Sequence, residues 1–360
     1  MRSNPHVEAY SPGGSLPADM GHTVSAGSIL TLARSPGCGI YSAIMDGLLV
    51  VNPKVPCPSC HGHRRRRKAC DVCLHSGYTR VDLTGFWGQS GGFLVCGGPS
   101  LKRLPVHLLR RRGIVSLAIN NAAGFAPVSA WTFSDPQTKF HWGQFVDPSI
   151  LTFAPIPKCR KRVRVKLADG SFRKTDKVVG DCPSTLGYSR TGRFDPETFL
   201  TNEAAYWGHG GKGVDRPFTR LCTMLLGIRL LHYLGIRRVY LLGVDFFIGK
   251  EEMYAWAQDK QHGNRAWPKI DKLFESLVPV FKADGFEVFN CNPTSKFEVF
   301  PYASFDDAYD YCRRDLPPEP YDLVDWYTKR IEKEHRTLYP NELTFEQIRE
   351  HLPSPEQRKD

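Results

Sequence analysis

The 360-residue chain has no run of about 18 uncharged apolar residues, so no helix is expected to span a membrane. Its longest candidate, Leu221 to Leu234, is interrupted by Arg229 and His232. The first residues, Arg2, Ser3, Asn4, Pro5, His6 and Glu8, contain no apolar h-region, so no secretory signal is expected. Internal repeats are absent. Apolar residues make up 41% and charged residues 24%, an ordinary globular balance that excludes bulk disorder, collagen and coiled coil. A chain of this length can bury most of the surface it exposes when unfolded. The stretch Gly208-His209-Gly210-Gly211-Lys212-Gly213 could grip phosphate but lacks the Gly-Lys-Ser/Thr of a P-loop, and reads as a mobile loop. The expected location is the cytoplasm, that of the host if the chain is phage-encoded.

Cysteine, by contrast, is plentiful at eleven residues. Seven of these (Cys38, Cys96, Cys159, Cys182, Cys222, Cys291 and Cys312) are scattered and read as free, mostly buried thiols of a cytosolic protein. The other four, Cys57, Cys60, Cys70 and Cys73, form C-x2-C-x9-C-x2-C. Each pair can place two thiolates on one tetrahedral ion, and the nine-residue loop brings the second pair round, so zinc is expected. Four thiolates leave no open position, which makes the zinc structural. His61 and His63 stand as competing ligands. Gly62 and Gly77 follow the two knuckles, where tight turns need small residues. Over about 20 residues, Cys57 to Tyr78, the segment resembles the zinc module of DnaJ-type chaperones. Two roles remain open: a clip that stabilises a small module, or a nucleic-acid contact through Arg64, Arg65, Arg66, Arg67 and Lys68.

Forty-eight basic residues against 37 acidic ones give a net charge of +11. Lys158 to Lys177 holds +7 of it and Cys57 to Cys73 the other +4. The remainder of the chain is neutral. Two local basic patches on a neutral body point to a phosphate-rich partner, and solvated loops are the plainer alternative. In the larger patch, Arg162 to Leu167 alternates, Asp169-Gly170 supplies a turn and Ser171 to Val179 returns, a hairpin signature. Alternation puts Val163, Val165 and Leu167 on one face and cations on the other. Arg160, Lys161, Arg162, Arg164 and Lys166 are the candidate nucleic-acid contacts there.

Elsewhere, strand and helix signals alternate. Apolar strands are expected at Leu48 to Val51, Phe93 to Cys96, Ile114 to Ile119, Ala130 to Phe133, Ile150 to Ala154, Val239 to Val244 and Glu287 to Phe289. Helices are expected from Pro99 to Arg112, from Pro217 to Leu234 and from about Pro268 to Asp284, and residues 182–213 read as loop. The pattern predicts an α/β fold with a doubly wound, mostly parallel, Rossmann-like sheet. The expected organisation is a loose arm over 1–50, the zinc module over 51–82, a nucleotide-sugar-binding catalytic domain over 83–312 with a basic hairpin insertion near 158–180, and charged helices over 313–360.

Gly97-Gly98-Pro99-Ser100 stands where the first strand of that domain meets the next element, so its backbone N–H groups can approach a phosphate. Taken in order, Cys96 to Leu101, the strand ending at Asn120, Phe133-Ser134-Asp135-Pro136, Leu234-Gly235 with Val239 to Asp245, and Asn290-Cys291-Asn292-Pro293-Thr294-Ser295 resemble the bacterial lipo-oligosaccharide sialyltransferases. The related motility-accessory-factor glycosyltransferases and a 6-hydroxymethylpterin diphosphokinase-like branch share that core. The resemblance spans roughly residues 91–312. It implies a nucleotide-sugar donor and no catalytic metal. Gly97, Gly98, Pro99 and Ser100 would cradle phosphate and ribose, and Asn120 and Asp135 would contact nucleotide or sugar. Arg220 would bind substrate, with Arg216 a near competitor. Asp245 would line the site, Tyr254 would support the leaving phosphate and His262 would act as general base. The chain departs from the sialyltransferase pattern at Gly97, at Phe247 and at Cys222-Thr223-Met224, which bears on the identity of the sugar.

Three functions follow as expectations. The first is a glycosyltransferase acting on an acceptor hydroxyl, with the basic patches pointing to a polyanionic acceptor such as a hydroxylated base in phage DNA. The second is a Mg-dependent pyrophosphoryl or phosphoryl transferase of the pterin type. The third is a zinc-containing nucleic-acid binder without catalysis.

Overall fold

A computed structural model of the chain describes residues 50–68, 70–73, 76–88, 91–167, 171–188, 194–201, 222–246, 254–255, 267–314 and 316, with the backbone alone at 64, 67 and 267–269. The strands are β1 Val50–Pro56, β2 Tyr78–Arg80, β3 Gly91–Val95, β4 Ser116–Ile119, β5 Ala130–Thr132, β6 Leu151–Pro155, β7 Arg162–Lys166, β8 Phe172–Val178, β9 Thr185–Tyr188, β10 Arg238–Leu242 and β11 Glu287–Asn290. The helices are four-residue turns α1 Arg64–Arg67, α2 Gly143–Val146 and α3 Ile156–Cys159, then α4 Thr223–Tyr233, α5 Trp267–Glu275, α6 Val278–Asp284 and α7 Phe305–Arg313. Nine strands form one sheet in the order β11-β10-β3-β4-β5-β6-β9-β1-β2. From β11 to β9 every pairing is parallel, and β1 and β2 add on antiparallel. The fold is therefore α/β with a mostly parallel sheet. β7 and β8 form the separate antiparallel hairpin.

Buried parallel strands should be apolar throughout, and β3 and β10 are: all of β3 is buried, as is β10 after Arg238. Successive residues of β3 face opposite ways. Gly91 lies against Tyr311 and Cys312 of α7, and the Phe93 ring stacks on Phe305 at 5.8 Å. Leu94, on the other face, packs onto Gly227 of α4. Helices thus cover both faces. Beside them Trp131, Phe133, Phe140 and Phe145 form an aromatic core, with Trp131 4.7 Å from Phe133 and 5.0 Å from Phe145 between ring centres. The α7 N-terminus is capped by Ser304, whose Oγ accepts from the Asp307 N–H at 3.0 Å.

Several sequence expectations need correction. The stretch after β3 is not an α-helix but two 3-10 turns, Pro99–Arg103 and Val106–Arg110. Pro105 forces extended backbone on Leu104 between them. The expected helix from Pro268 to Asp284 is two, α5 and α6, because Pro279 has no N–H to return to the Glu275 carbonyl. Residues 182–213, expected as loop, contain β9. The helix expected from Pro217 to Leu234 and read there as amphipathic is described from Thr223 as α4, which is buried over nine of its eleven residues. The first strand runs on to Pro56. The arm before residue 50, the turn at Asp169-Gly170, the Gly208–Gly213 loop and the charged helices after 316 lie outside the described residues. No helix among those described is long and apolar enough to cross a membrane.

Candidate functional site

The four knuckle cysteines converge as their spacing predicts. Their Sγ atoms all lie within 4.8 Å of one another, with Cys57 to Cys70 at 3.8 Å and Cys60 to Cys73 at 3.7 Å. Thiolates held at about 2.3 Å around one tetrahedral zinc stand roughly 3.8 Å apart, and disulfides would need about 2.05 Å. The donor set therefore fits a metal ion such as zinc. His61 and His63 do not join the cluster. The knuckles turn through Gly62 and Gly77, at φ +72° and +83°, a region that glycine enters without strain. The Gly77 N–H donates to Cys73 Sγ at 3.2 Å, and the Cys57 N–H closes the module onto the Gly77 carbonyl at 3.1 Å. Between the knuckles sits α1, with Arg65, Arg66 and Lys68 exposed.

The basic hairpin is rooted on this module. Arg160 donates from Nε to the Tyr78 hydroxyl at 3.1 Å and from Nη2 to the Ser76 carbonyl at 2.6 Å. Its guanidinium also lies over the Tyr78 ring at 5.2 Å. Arg160 is thus held by the protein itself. Along β7, Val163 and Val165 are buried, and Arg162, Arg164 and Lys166 are exposed. Arg164 pairs directly across from Lys174, and Lys166 from Phe172.

A second constellation lies at the carboxyl ends of β3, β4, β5 and β10. The chain runs outward from β3 through β4, β5 and β6, then returns to β10 on the other side of β3. Open α/β sheets bind ligands where the strand order reverses in this way. There the Asp245 carboxylate accepts from the Ser100 Oγ at 2.8 Å, the Ser100 N–H at 3.2 Å and the Asn292 Nδ2 at 3.0 Å. Burial raises its pKa, against the lowering effect of these bonds and of Arg103. A Cβ at position 98 would overlap the same carboxylate, so glycine is required there by Asp245. The Gly98 N–H donates to the Gly243 carbonyl at 2.8 Å. The Gly98 and Ser100 amides thus have protein partners, and the element that follows Gly98 is a short 3-10 turn rather than an α-helix.

Around Asp245, the Ala255 N–H donates to the Gly97 carbonyl at 2.9 Å, which holds Tyr254 beside the glycine turn. Burial raises the Tyr254 phenol, and the Asp135 carboxylate pushes it the same way. Asn120, in the left-handed region at φ +50°, accepts the Ser134 N–H on Oδ1 at 3.1 Å. Ser134 and Thr223 share a hydroxyl–hydroxyl bond of 2.6 Å. The Lys158 Nζ caps the carbonyls of Ser134 and Asp135 and lies over the Phe133 ring. Phe246, next to Asp245, also has positive φ at +50°, an uncommon place for an aromatic residue.

Of the expected crevice residues, Gly97, Gly98, Pro99, Ser100, Asn120, Asp135, Asp245 and Tyr254 are gathered here. Arg220 and His262 lie outside the described residues, as do Arg216 and Phe247. Asn292, Lys158, Arg103, Ser134 and Thr223 were not expected as site residues. The paired Asn290 and Asn292 after an apolar strand were a readable hint, because buried amides must be bonded. The scattered cysteines other than Cys38, which lies outside the described residues, are free, and all but Cys222 are buried. Burial pushes Cys159, Cys291 and Cys312 up to about 12 and Cys222 to about 11, so these thiols stay protonated and unreactive. No family model, curated protein or solved structure matches the chain.

Proposed function

We propose that the protein is a glycosyltransferase that takes a sugar from a nucleotide-sugar donor and delivers it to an acceptor hydroxyl. The core would be a Rossmann-like, doubly wound sheet. The observation that carries this reading is the half-buried Asp245 carboxylate at the strand-order reversal, held by Ser100 and Asn292, with Tyr254 beside the adjoining glycine turn. A carboxylate there repels phosphate and accepts hydroxyl hydrogen bonds. It suits the ribose or the sugar, and leaves the phosphates toward Arg103, whose Nη2 reaches Thr294 at 3.4 Å.

In this reading the acceptor oxygen bonds to the anomeric carbon as the bond from that carbon to the nucleotide phosphate breaks. His262 takes the acceptor proton. The raised Tyr254 phenol keeps its proton near neutral pH and donates a hydrogen bond to the departing phosphate. Zinc on Cys57, Cys60, Cys70 and Cys73 is structural and takes no part in the transfer.

Thermal-shift titration of the intact protein with CMP- and UDP-sugars tests this. A ligand at 100 times its Kd stabilises the native state by about 2.7 kcal/mol, and Asp245→Asn should abolish the shift. Stabilisation by ATP with Mg²⁺ alone would replace the reading with phosphoryl transfer of the pterin type. No shift from any nucleotide would leave the non-catalytic binder.

A further inference from the structure

The segment that carries +7 of the charge surplus meets the zinc module, whose knuckles carry the other +4, through Arg160, which joins the root of the β7–β8 hairpin to Ser76 and Tyr78 just after the second pair of knuckle cysteines. The outward face of the hairpin carries Arg162, Arg164 and Lys166 on β7, spaced about 6.7 Å apart as alternate strand residues are. Lys174 and Phe172 lie opposite on β8. Among the described residues, no carboxylate pairs with Arg162, Arg164, Lys166, Arg173 or Lys174. Arg164 and Lys174 stand directly opposite, where like charges destabilise a hairpin. The surface therefore tolerates a repulsion that an anion would relieve. Apolar side chains also break out here. Val72 on the second knuckle is 55% exposed, Phe172 40% and Leu167 38%.

We infer that the zinc module and the β7–β8 hairpin form one nucleic-acid-binding surface, with Arg160 as the residue that positions the hairpin against the module. Arginine forks and lysines would take successive phosphates. Phe172, set among the cations, would offer a ring on which an unpaired base stacks. Among the described residues, the exposed Leu167 and Phe172 each adjoin a cation, Lys166 and Arg173, which disfavours a lipid surface. The inference deepens the transfer reading by naming the class of its acceptor. Its test is binding without any donor, so failure here leaves the donor reading standing.

Fluorescence anisotropy of a labelled oligonucleotide, single-stranded and as its DNA duplex, with the zinc-loaded full chain between about 50 and 200 mM salt, provides that test. Affinity should fall steeply with salt. Replacing Arg164 and Lys174 together by alanine should lower the duplex slope by about 1.8, or 0.9 for each phosphate contact. Phe172→Ala should weaken the single strand about tenfold and leave the duplex nearly unchanged. Arg160→Lys keeps the charge and loses the fork, so it should retain zinc and still lose affinity several-fold for both probes. Absent or salt-insensitive binding, or binding indifferent to the double substitution, would overturn the shared surface. So would capture by anionic phospholipid vesicles without oligonucleotide binding. Full affinity in Arg160→Lys would overturn its positioning role.

Discussion

The crevice beside β3 and β10 and the basic margin beside β1 and β2 treat charge in opposite ways. In the crevice, Asp245 is partly buried and accepts from three protein donors, and the neighbouring Gly98 amide is bonded as well. On the margin, Arg162, Arg164, Lys166, Arg173 and Lys174 are exposed with no carboxylate paired to them among the described residues, and two of them face each other. The difference follows from solvation. A carboxylate withdrawn from water must be bonded by the protein at rest, whereas a cation in water needs no partner until a polyanion displaces its hydration. The crevice carboxylate is held by protein donors, and the exposed cations of the margin are left to water.

The largest test of this contrast is removal of the metal. Structural zinc contributes about 10–16 kcal/mol in isolated zinc-binding peptides. Chelation, or Cys60→Ser, should expose the amides of residues 57–80 to hydrogen exchange, while those of β3, β4 and β10 stay protected. Loss of protection in both regions would break the comparison. Next in size, Gly227→Val drives a side chain into Leu94 between α4 and β3. It should cost about 1–3 kcal/mol in urea unfolding and leave oligonucleotide affinity of the folded protein unchanged.

Asp245 sharpens the contrast through pH. Its folded pKa lies above the ordinary 3.8 because burial penalises the charge. Such a group adds stability when protonated and loses that contribution as pH rises through the folded value. The stability of the native protein minus that of Asp245→Asn should therefore grow on acidification toward pH 4, read by denaturant midpoints in parallel. A flat difference would show that the carboxylate is not desolvated. The smallest effect belongs to the margin. Lys174→Glu replaces repulsion with attraction across from Arg164 and should raise stability by about 0.2–1 kcal/mol, while weakening oligonucleotide binding. A variant that lost both would make the lysine structural.

What could be read from the sequence followed the range of each interaction. The four-cysteine cluster was fully legible, because its members sit within 17 consecutive positions and their spacing is the geometry. β3, β10 and the alternating β7 announced themselves through local apolar patterns. β9 did not, because Thr185-Leu186-Gly187-Tyr188 is short and interrupted by glycine, and its identity as a strand depends on β6 and β1. The glycine turn was visible, yet its cause was not. Gly98 answers to Asp245, nearly 150 residues away, a contact that no local pattern encodes. Likewise Arg160 counted as one charge among nine until Ser76 and Tyr78 appeared beside it.

The antiparallel seat of β1 has a consequence for biosynthesis. Val51 pairs with Gly187, so the strand leading into the knuckles is made 136 positions before its inner neighbour. At about 5–20 residues per second, roughly 7 to 27 seconds separate the two on the ribosome. During that interval β1 has only β2 as a partner, and an isolated two-stranded hairpin is at best marginally stable in water. Metal captured by the nascent knuckles would hold the two strands together until β9 emerges. Zinc supply during translation, rather than in the finished protein, would then govern the yield of correctly assembled chains.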